Sequence, residues 1–274
     1  MKTIGVIFTL LLSTTAFAKD VCTLLVPFPP GGSTDIRARA MQLGNPDLTV
    51  DYKPGAFGSV AIDQMNKIDN AFLLSPAFMY SAKSPMKDPN VEMNRIIFAP
   101  PIKIITIKDL KVDDLADKPI KLGIPCKGCQ MEGLALEIKS KNPNLSIITI
   151  HGDAKSLPMI MNGDLDIYLG IGTAIDRWAN SFENIKIIGE ISFQQTLKIR
   201  DIELINLNMT GIFTKGKIDN LEKTTIENCI NKAVRSKEFH EQNKMNSLSY
   251  IDLSHAESQQ ILASYLAFME KHGL

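Results

Sequence analysis

Short apolar runs alternate with stretches of helical spacing along most of this chain. Residues 23–26 read as a strand and 34–43 as a helix; 48–52 and 59–68 repeat that pair, and 71–74 adds another strand. Residues 96–107 contain one or two more strands. After a break near 101–120 the alternation resumes, with strands at 121–124, 147–150 and 165–169. Helices are expected at 131–141 and around 154–161, the latter ended by Asn162 and Gly163. Such βαβ alternation builds a mostly parallel sheet with helices on its faces, and here it occurs twice. The C-terminal part has a different rhythm. Residues 221–236 and 254–272 are helical patterns, the second opening on the capping box Ser254-x-x-Glu257 and turning Ile261, Leu262, Tyr265, Leu266 and Met269 inward. The pattern predicts an α/β protein of two lobes, its helical tail returning to the first lobe.

Charge narrows the partners. The 30 basic side chains balance the 30 acidic ones and are interspersed with them, so nucleic acid is not expected. Residues 1–18 run from Lys2 through an apolar stretch at 4–12 to Ala16-Phe17-Ala18, the order of a cleavable secretory signal. No later stretch reaches the roughly 18 apolar residues that a membrane span needs. The expected product is therefore an exported, soluble protein beginning near Lys19. Cys22 is not read as a lipid anchor, because Lys19-Asp20-Val21 lack the small and apolar residues of such a cleavage site.

In an oxidising compartment the cysteines Cys22, Cys126, Cys129 and Cys229 are disulfide candidates, and four thiols allow three pairings among which spacing does not choose. Cys126-x-x-Cys129 is either a local disulfide or a pair of loop thiols. Gln130 after it excludes a c-type haem site, and no second C-x-x-C completes a zinc centre, so no metal or cofactor is expected. Cys229 shares an apolar helix face with Ile226, Ile230 and Ala233 and reads as core packing.

The stretch LLVPFPPGGSTDIRARA at 24–40 carries the clearest chemistry. A strand ends at Val26, prolines fix the chain's exit, and Gly31 and Gly32 leave backbone amides open; Ser33, Thr34 or Asp35 could cap the helix that follows. A helix N-terminus behind a glycine loop has unpaired N–H groups and a partial positive charge, enough to bind an anion without Arg or Lys. The alternative is a tight structural turn. Neither a P-loop nor a dinucleotide fingerprint fits the spacing.

These residues carry a resemblance. VPFPPGGSTDIRAR resembles the PFPPGGSTDxxAR signature of the Bug-type (TctC-like) periplasmic substrate-binding proteins of tripartite tricarboxylate transporters. YKPGAFGSVA and NGDLDIYLG resemble two further segments of that family, in its order and at about its spacing. The resemblance implies a type II-like periplasmic-binding-protein fold with a ligand cleft between lobes: residues 19–102 and 212–274 form lobe 1, and 103–211 form lobe 2. It implies a monomeric receptor that binds a small organic carboxylate, mainly through backbone amides and bridging waters, and passes it to membrane permease subunits. The implied first-lobe site residues are Phe28, Pro30, Gly31, Gly32, Ser33, Thr34 and Asp35, with Ala56 and Phe57 beside them and Ser75 at the end of the next strand. The facing loop contains Cys126, Lys127, Gly128 and Cys129.

Departures from the family pattern sharpen the expectations. Lys127 either adds a charge-assisted contact to the acid or is a solvated loop lysine. Gly170 stands where relatives often place an Asp that receives an amino group, which predicts a ligand without one. Phe57 replaces a small residue and either narrows the cleft or packs against the first lobe. Two other readings remain: a sensor of the same fold that reports to a membrane partner, and a thiol oxidoreductase acting through Cys126 and Cys129. Against an enzyme, His151, His240, His255 and His272 are scattered, no G-x-S-x-G or H-E-x-x-H motif occurs, and Asp164 with Asp166 is weak as a dyad.

Overall fold

Nearly every apolar run in the first half becomes a strand with both faces covered. The computed structural model of the chain describes residues 21–80, 90–150 and 152–274, apart from the side chains of Phe57, Tyr80 and Ala154. The proposed signal at 1–18 and His151 lie outside the described residues.

The chain begins with β1 (Cys22–Val26), α1 (Ser33–Gly44), β2 (Leu48–Tyr52), α2 (Ser59–Met65), β3 (Ala71–Pro76) and β4 (Val91–Phe98). It continues through β5 (Ile102–Thr106), β6 (Lys121–Ile124), α3 (Gln130–Lys141), β7 (Ser146–Thr149), α4 (Asp153–Met161), β8 (Ile167–Ile171), α5 (Gly172–Ser181) and β9 (Lys186–Ile191). The hairpin β10 (Thr196–Ile199) and β11 (Ile202–Ile205) precedes β12 (Thr210–Lys215), and α6 (Asn220–Val234), α7 (Lys237–Met245) and α8 (His255–Lys271) close the chain.

The strands form two five-stranded sheets, ordered β2-β1-β3-β12-β4 and β7-β6-β8-β5-β9. In each, one strand pairs in parallel with both neighbours, β1 with β2 and β3, and β6 with β7 and β8. The remaining pairs are antiparallel. The chain crosses from the first sheet to the second between Phe98 and Ile102 and returns between Ile205 and Thr210, so Ile102 already belongs to the second sheet and Thr210 to the first.

Alternation within strands divides each core in two. Leu24 and Val26 of β1 pack on one face of the first sheet with Ile226, Cys229 and Ile230 of α6, while Leu25 packs on the other with Ile261, Tyr265 and Met269 of α8. Burial of such side chains stabilises by about 1.5–3 kcal/mol each, and covering both faces explains why the strands read as continuous apolar runs. The capping box at Ser254 and Glu257 is present. Cys229 does more than pack: it forms a disulfide with Cys22, tying α6 to the first residue of β1. Cys126 and Cys129 form the second bridge.

Two boundaries differ from the sequence pattern. The strand expected at 165–169 lies at Ile167–Ile171, because Asp164 and Leu165 close the end of α4 through Met159 O and the Asp166 carboxylate accepts the Lys121 N–H at 2.7 Å. Helix α5 follows β8 at once, with no turn residues between them to mark its start in the sequence; its buried side includes Gly172, Thr173 and Ile175.

Candidate functional site

The loop after β1 leaves Pro29, Pro30, Gly31 and Gly32 exposed and Phe28 half-buried. Gly31 has φ 100°, a conformation that costs glycine little, and its N–H donates to the Asp35 carboxylate at 2.8 Å. The helix cap differs from the expectation: the N-cap is Gly32, and none of Ser33, Thr34 and Asp35 caps α1 from that position. Asp35, buried in the first turn, instead accepts from Tyr52 Oη and, at 2.7 Å, from Arg39 Nε. Burial pushes its carboxyl up, but the hydrogen bonds from Tyr52, Gly31 and Arg39 outweigh that and hold it below the ordinary value. Among the described residues the N–H groups of Ser33 and Thr34 have no hydrogen-bond acceptor. The positive end of α1 therefore remains available.

The second lobe repeats this device. Gly128 has φ 71° and donates its N–H to Glu132 at 2.5 Å, as Gly31 does to Asp35. Cys129 is the N-cap of α3 without a side-chain cap bond, and the N–H groups of Gln130 and Met131 find no acceptor among the described residues. The Cys126–Cys129 disulfide closes the loop, with Cys129 buried, Cys126 half-buried and Lys127 exposed. Phe78 links the loops: its ring lies 6.4 Å from that of Phe28 and also packs against the second-lobe cluster that contains Cys129 and Met131.

The other expected site residues are placed less directly. Ser75 is buried at the end of β3, its hydroxyl 3.2 Å from Pro76 O and 2.8 Å from Met79 Sδ. Ala56 is exposed with its carbonyl bound by Ser59 Oγ at 3.0 Å, and the Phe57 side chain lies outside the described residues. Gly170 lies inside β8, opposite Lys103, rather than at the strand's end. A Cβ there would come within 2.4 Å of the Tyr168 ring, whose hydroxyl donates to Asp153 at 2.6 Å. Desolvation raises the Asp153 carboxyl, with the Tyr168 hydrogen bond and the charge of Arg37 opposing.

Sequence reasoning missed Arg37. Its guanidinium is 1% exposed, lies 5.3 Å from the centre of the Phe98 ring, and donates from Nη1 to Thr210 Oγ1 at 3.1 Å and from Nη2 to Thr173 Oγ1 at 3.4 Å. Thr173 opens α5 in the second lobe and donates in turn to Ser247 O at 3.1 Å, so this contact crosses between the lobes. Burial lowers the guanidinium from its ordinary value to about 10, against the pull of Asp153. The available signal was helical spacing: Thr34, Arg37, Ala38 and Met41 share the buried face of α1, an unusual place for a charge.

A scan of protein-family models and a search of curated proteins return no match. Solved structures do match over nearly full length. A protein of R. palustris with adipate superposes at TM-score 0.73 with 15% identity, covering 92% of this chain and 95% of that one. The periplasmic binding protein BugD gives 0.65 at 20% identity over 92% and 97%, and MatC from Rhodopseudomonas palustris with bound malate gives 0.67 at 11% over 91% and 98%. The chain has the fold of the TctC- and Bug-type periplasmic solute-binding proteins.

In this Bug-type fold the two glycine loops stand at the carboxyl ends of β1 and β6, before α1 and α3, where ligands of open α/β sheets bind. A separate recess of about 460 Å³ lies on the first lobe, lined by Arg95, Lys215, Asp252 and His255 among others. Of its charges, Arg95 pairs with Asp252 and Lys215 with Glu222. Among the described residues no helix is long and apolar enough to cross a membrane, and no group of three His, Cys, Asp or Glu could bind a metal.

Proposed function

We propose that this chain is an extracytoplasmic receptor, exported by its first 18 residues, which closes on a small organic carboxylate and delivers it to the permease of a tripartite tricarboxylate-type transporter. The observation that carries the reading is the pair of helix N-termini at α1 and α3. Each stands behind a glycine loop held in shape by a carboxylate of its own first turn, and each keeps first-turn amides free. Proteins of the same fold with bound adipate and malate support the substrate class. Gly170 offers no acidic side chain to an ammonium group, and the carboxylates of Asp35, Glu132 and Asp153 are engaged in holding Gly31, Gly128 and Tyr168. The ligand is accordingly a carboxylate without a free amino group. It acts by population shift, favouring the closed form through contacts made to both lobes at once.

The test is a thermal-shift screen of the oxidised protein against mono-, di- and tricarboxylates, aromatic acids and amino acids. A ligand at 100 times its Kd adds about 2.7 kcal/mol of stability. Gly32→Val should abolish the shift: Gly32 has φ −88°, and a Cβ there meets no atom within 4 Å, so the fold accommodates the change while close approach of a ligand is blocked. A hit unaffected by Gly32→Val would leave the α1 loop a mere turn. One observation favours a second reading, a thiol oxidoreductase: the Cys126–Cys129 disulfide lies at a helix N-terminus. Insulin reduction lost in Cys126→Ser, with no carboxylate hit, would establish it.

A further inference from the structure

We infer that Arg37 is the specificity-determining residue of this receptor, the side-chain anchor for a second carboxylate, so that the ligand is a dianion held at one end by helix N-terminal amides and at the other by a guanidinium. The inference rests on the receptor reading and goes beyond it by naming a charged group and a ligand charge.

Three observations converge. First, Arg37 is a buried cation without an ion pair among the described residues; its two terminal nitrogens meet only threonine hydroxyls, one of them at 3.4 Å. Second, its Nε is fully buried and has no hydrogen-bond partner. Buried charges are ordinarily paired, and an orphaned guanidinium N–H costs the desolvation of a strong donor. The acid whose field it feels, Asp153, makes no ion pair with it and is bonded to Tyr168 Oη. Third, the location adjoins the proposed anion site. Arg37 is one turn beyond the free amides of Ser33 and Thr34, on the face of α1 turned toward Thr210, where the chain returns from the second lobe, and Thr173 of that lobe.

Nε and Nη2 form a fork that matches the two oxygens of a carboxylate, and the second lobe holds Nη2 only through the 3.4 Å contact to Thr173. A carboxylate held there would give this buried guanidinium the ion pair that its threonine partners do not. The Arg that belongs to the family-like signature does not compete for this role: Arg39 points outward, 56% exposed, and is bound to Asp35.

The experiment measures affinities of matched acids that differ by one carboxylate, adipate against hexanoate and malate against 2-hydroxybutyrate, for the wild type, Arg37→Met and Arg37→Lys. The Met side chain approximates the volume of the arginine stem, and the change breaks no ion pair, since Arg37 bonds only to threonine hydroxyls among the described residues. The wild type should prefer the diacid of at least one pair. Arg37→Met should weaken that diacid roughly 10- to 100-fold while leaving the monoacid nearly unchanged. Arg37→Lys, which keeps charge without the fork, should fall between them and serves alone if the Met variant does not fold. Equal weakening of both members of a pair would make Arg37 a structural residue, and a diacid preference retained in both variants would also overturn the inference. In either case the receptor reading stands on the acids that still bind. A wild type that binds none of the four acids, nor any other in the carboxylate screen, overturns both.

Discussion

Asp35 directs its charge inward, to Gly31, Tyr52 and Arg39, so its first task is to hold the α1 loop rather than to meet a ligand. Asp35→Asn should lower stability by about 1–3 kcal/mol at neutral pH. A carboxyl held below its ordinary value of 3.8 stabilises fully above that pH and loses its contribution as pH falls through the lower folded value. Urea unfolding of the two proteins should therefore show a gap at pH 7 that narrows steadily below pH 3.8. Asp35 was visible in the sequence as part of the loop, but its partner Tyr52 was not. Their contact spans 17 positions and depends on the parallel pairing of β1 with β2.

At the scale of elements, the two disulfides do different work. The Cys22–Cys229 bridge spans 207 positions and constrains nearly the whole unfolded chain, whereas Cys126–Cys129 spans 3. Chain-entropy reasoning gives about 5 kcal/mol for the first as an upper figure and about 1–2 kcal/mol for the second. Replacing Cys22 and Cys229 by Ser should cost about 3–5 kcal/mol in a denaturant titration. The corresponding double Ser variant at 126 and 129 should change stability little and act instead on ligand affinity, through the shape of the α3 loop. The elements themselves were legible where burial is two-sided or follows one clear stripe: β1, β3 and β6 in the first way and α8 in the second fall within a residue or two of their apolar patterns. Helix α5 and the hairpin β10–β11 were not, since α5 starts directly after β8 and the two hairpin strands are only four residues each.

The whole molecule turns on the two crossings. Asn206, fully buried, donates to Pro100 O at 3.1 Å and Ile191 O at 2.8 Å and accepts from Asn208 N–H at 2.7 Å, so one side chain fixes both connecting segments. Asn206→Ala should cost about 2–4 kcal/mol, because three buried backbone groups lose their partner, and should broaden the range of lobe orientations seen by small-angle scattering. A second link joins α8 to α3, where His272 lies 3.4 Å from Glu137, beside Lys271 and against the Phe268 ring. Desolvation lowers the imidazole below 6.5 even though Glu137 pulls it up. The neutral form therefore favours this contact, and its contribution is present above pH 6.5 and lost as pH falls through the lower folded value. Acidification should loosen the wild type more than His272→Phe, as read by Tm against pH.

Sequence alone determined what repeats locally. Apolar runs with two-sided burial specified the strands, the alternation specified two α/β lobes, and a glycine loop before a helix specified an open helix N-terminus, because backbone geometry and helix polarity follow from neighbouring residues. Tertiary structure decided everything that joins distant positions. It paired Cys22 with Cys229, turned Gly170 into the floor beneath Tyr168, and set Arg37 among Phe98, Thr173 and Thr210. An arginine on a helix reads as surface until the fold brings a second lobe over it, and only then does the lack of an ion pair among the described residues acquire meaning.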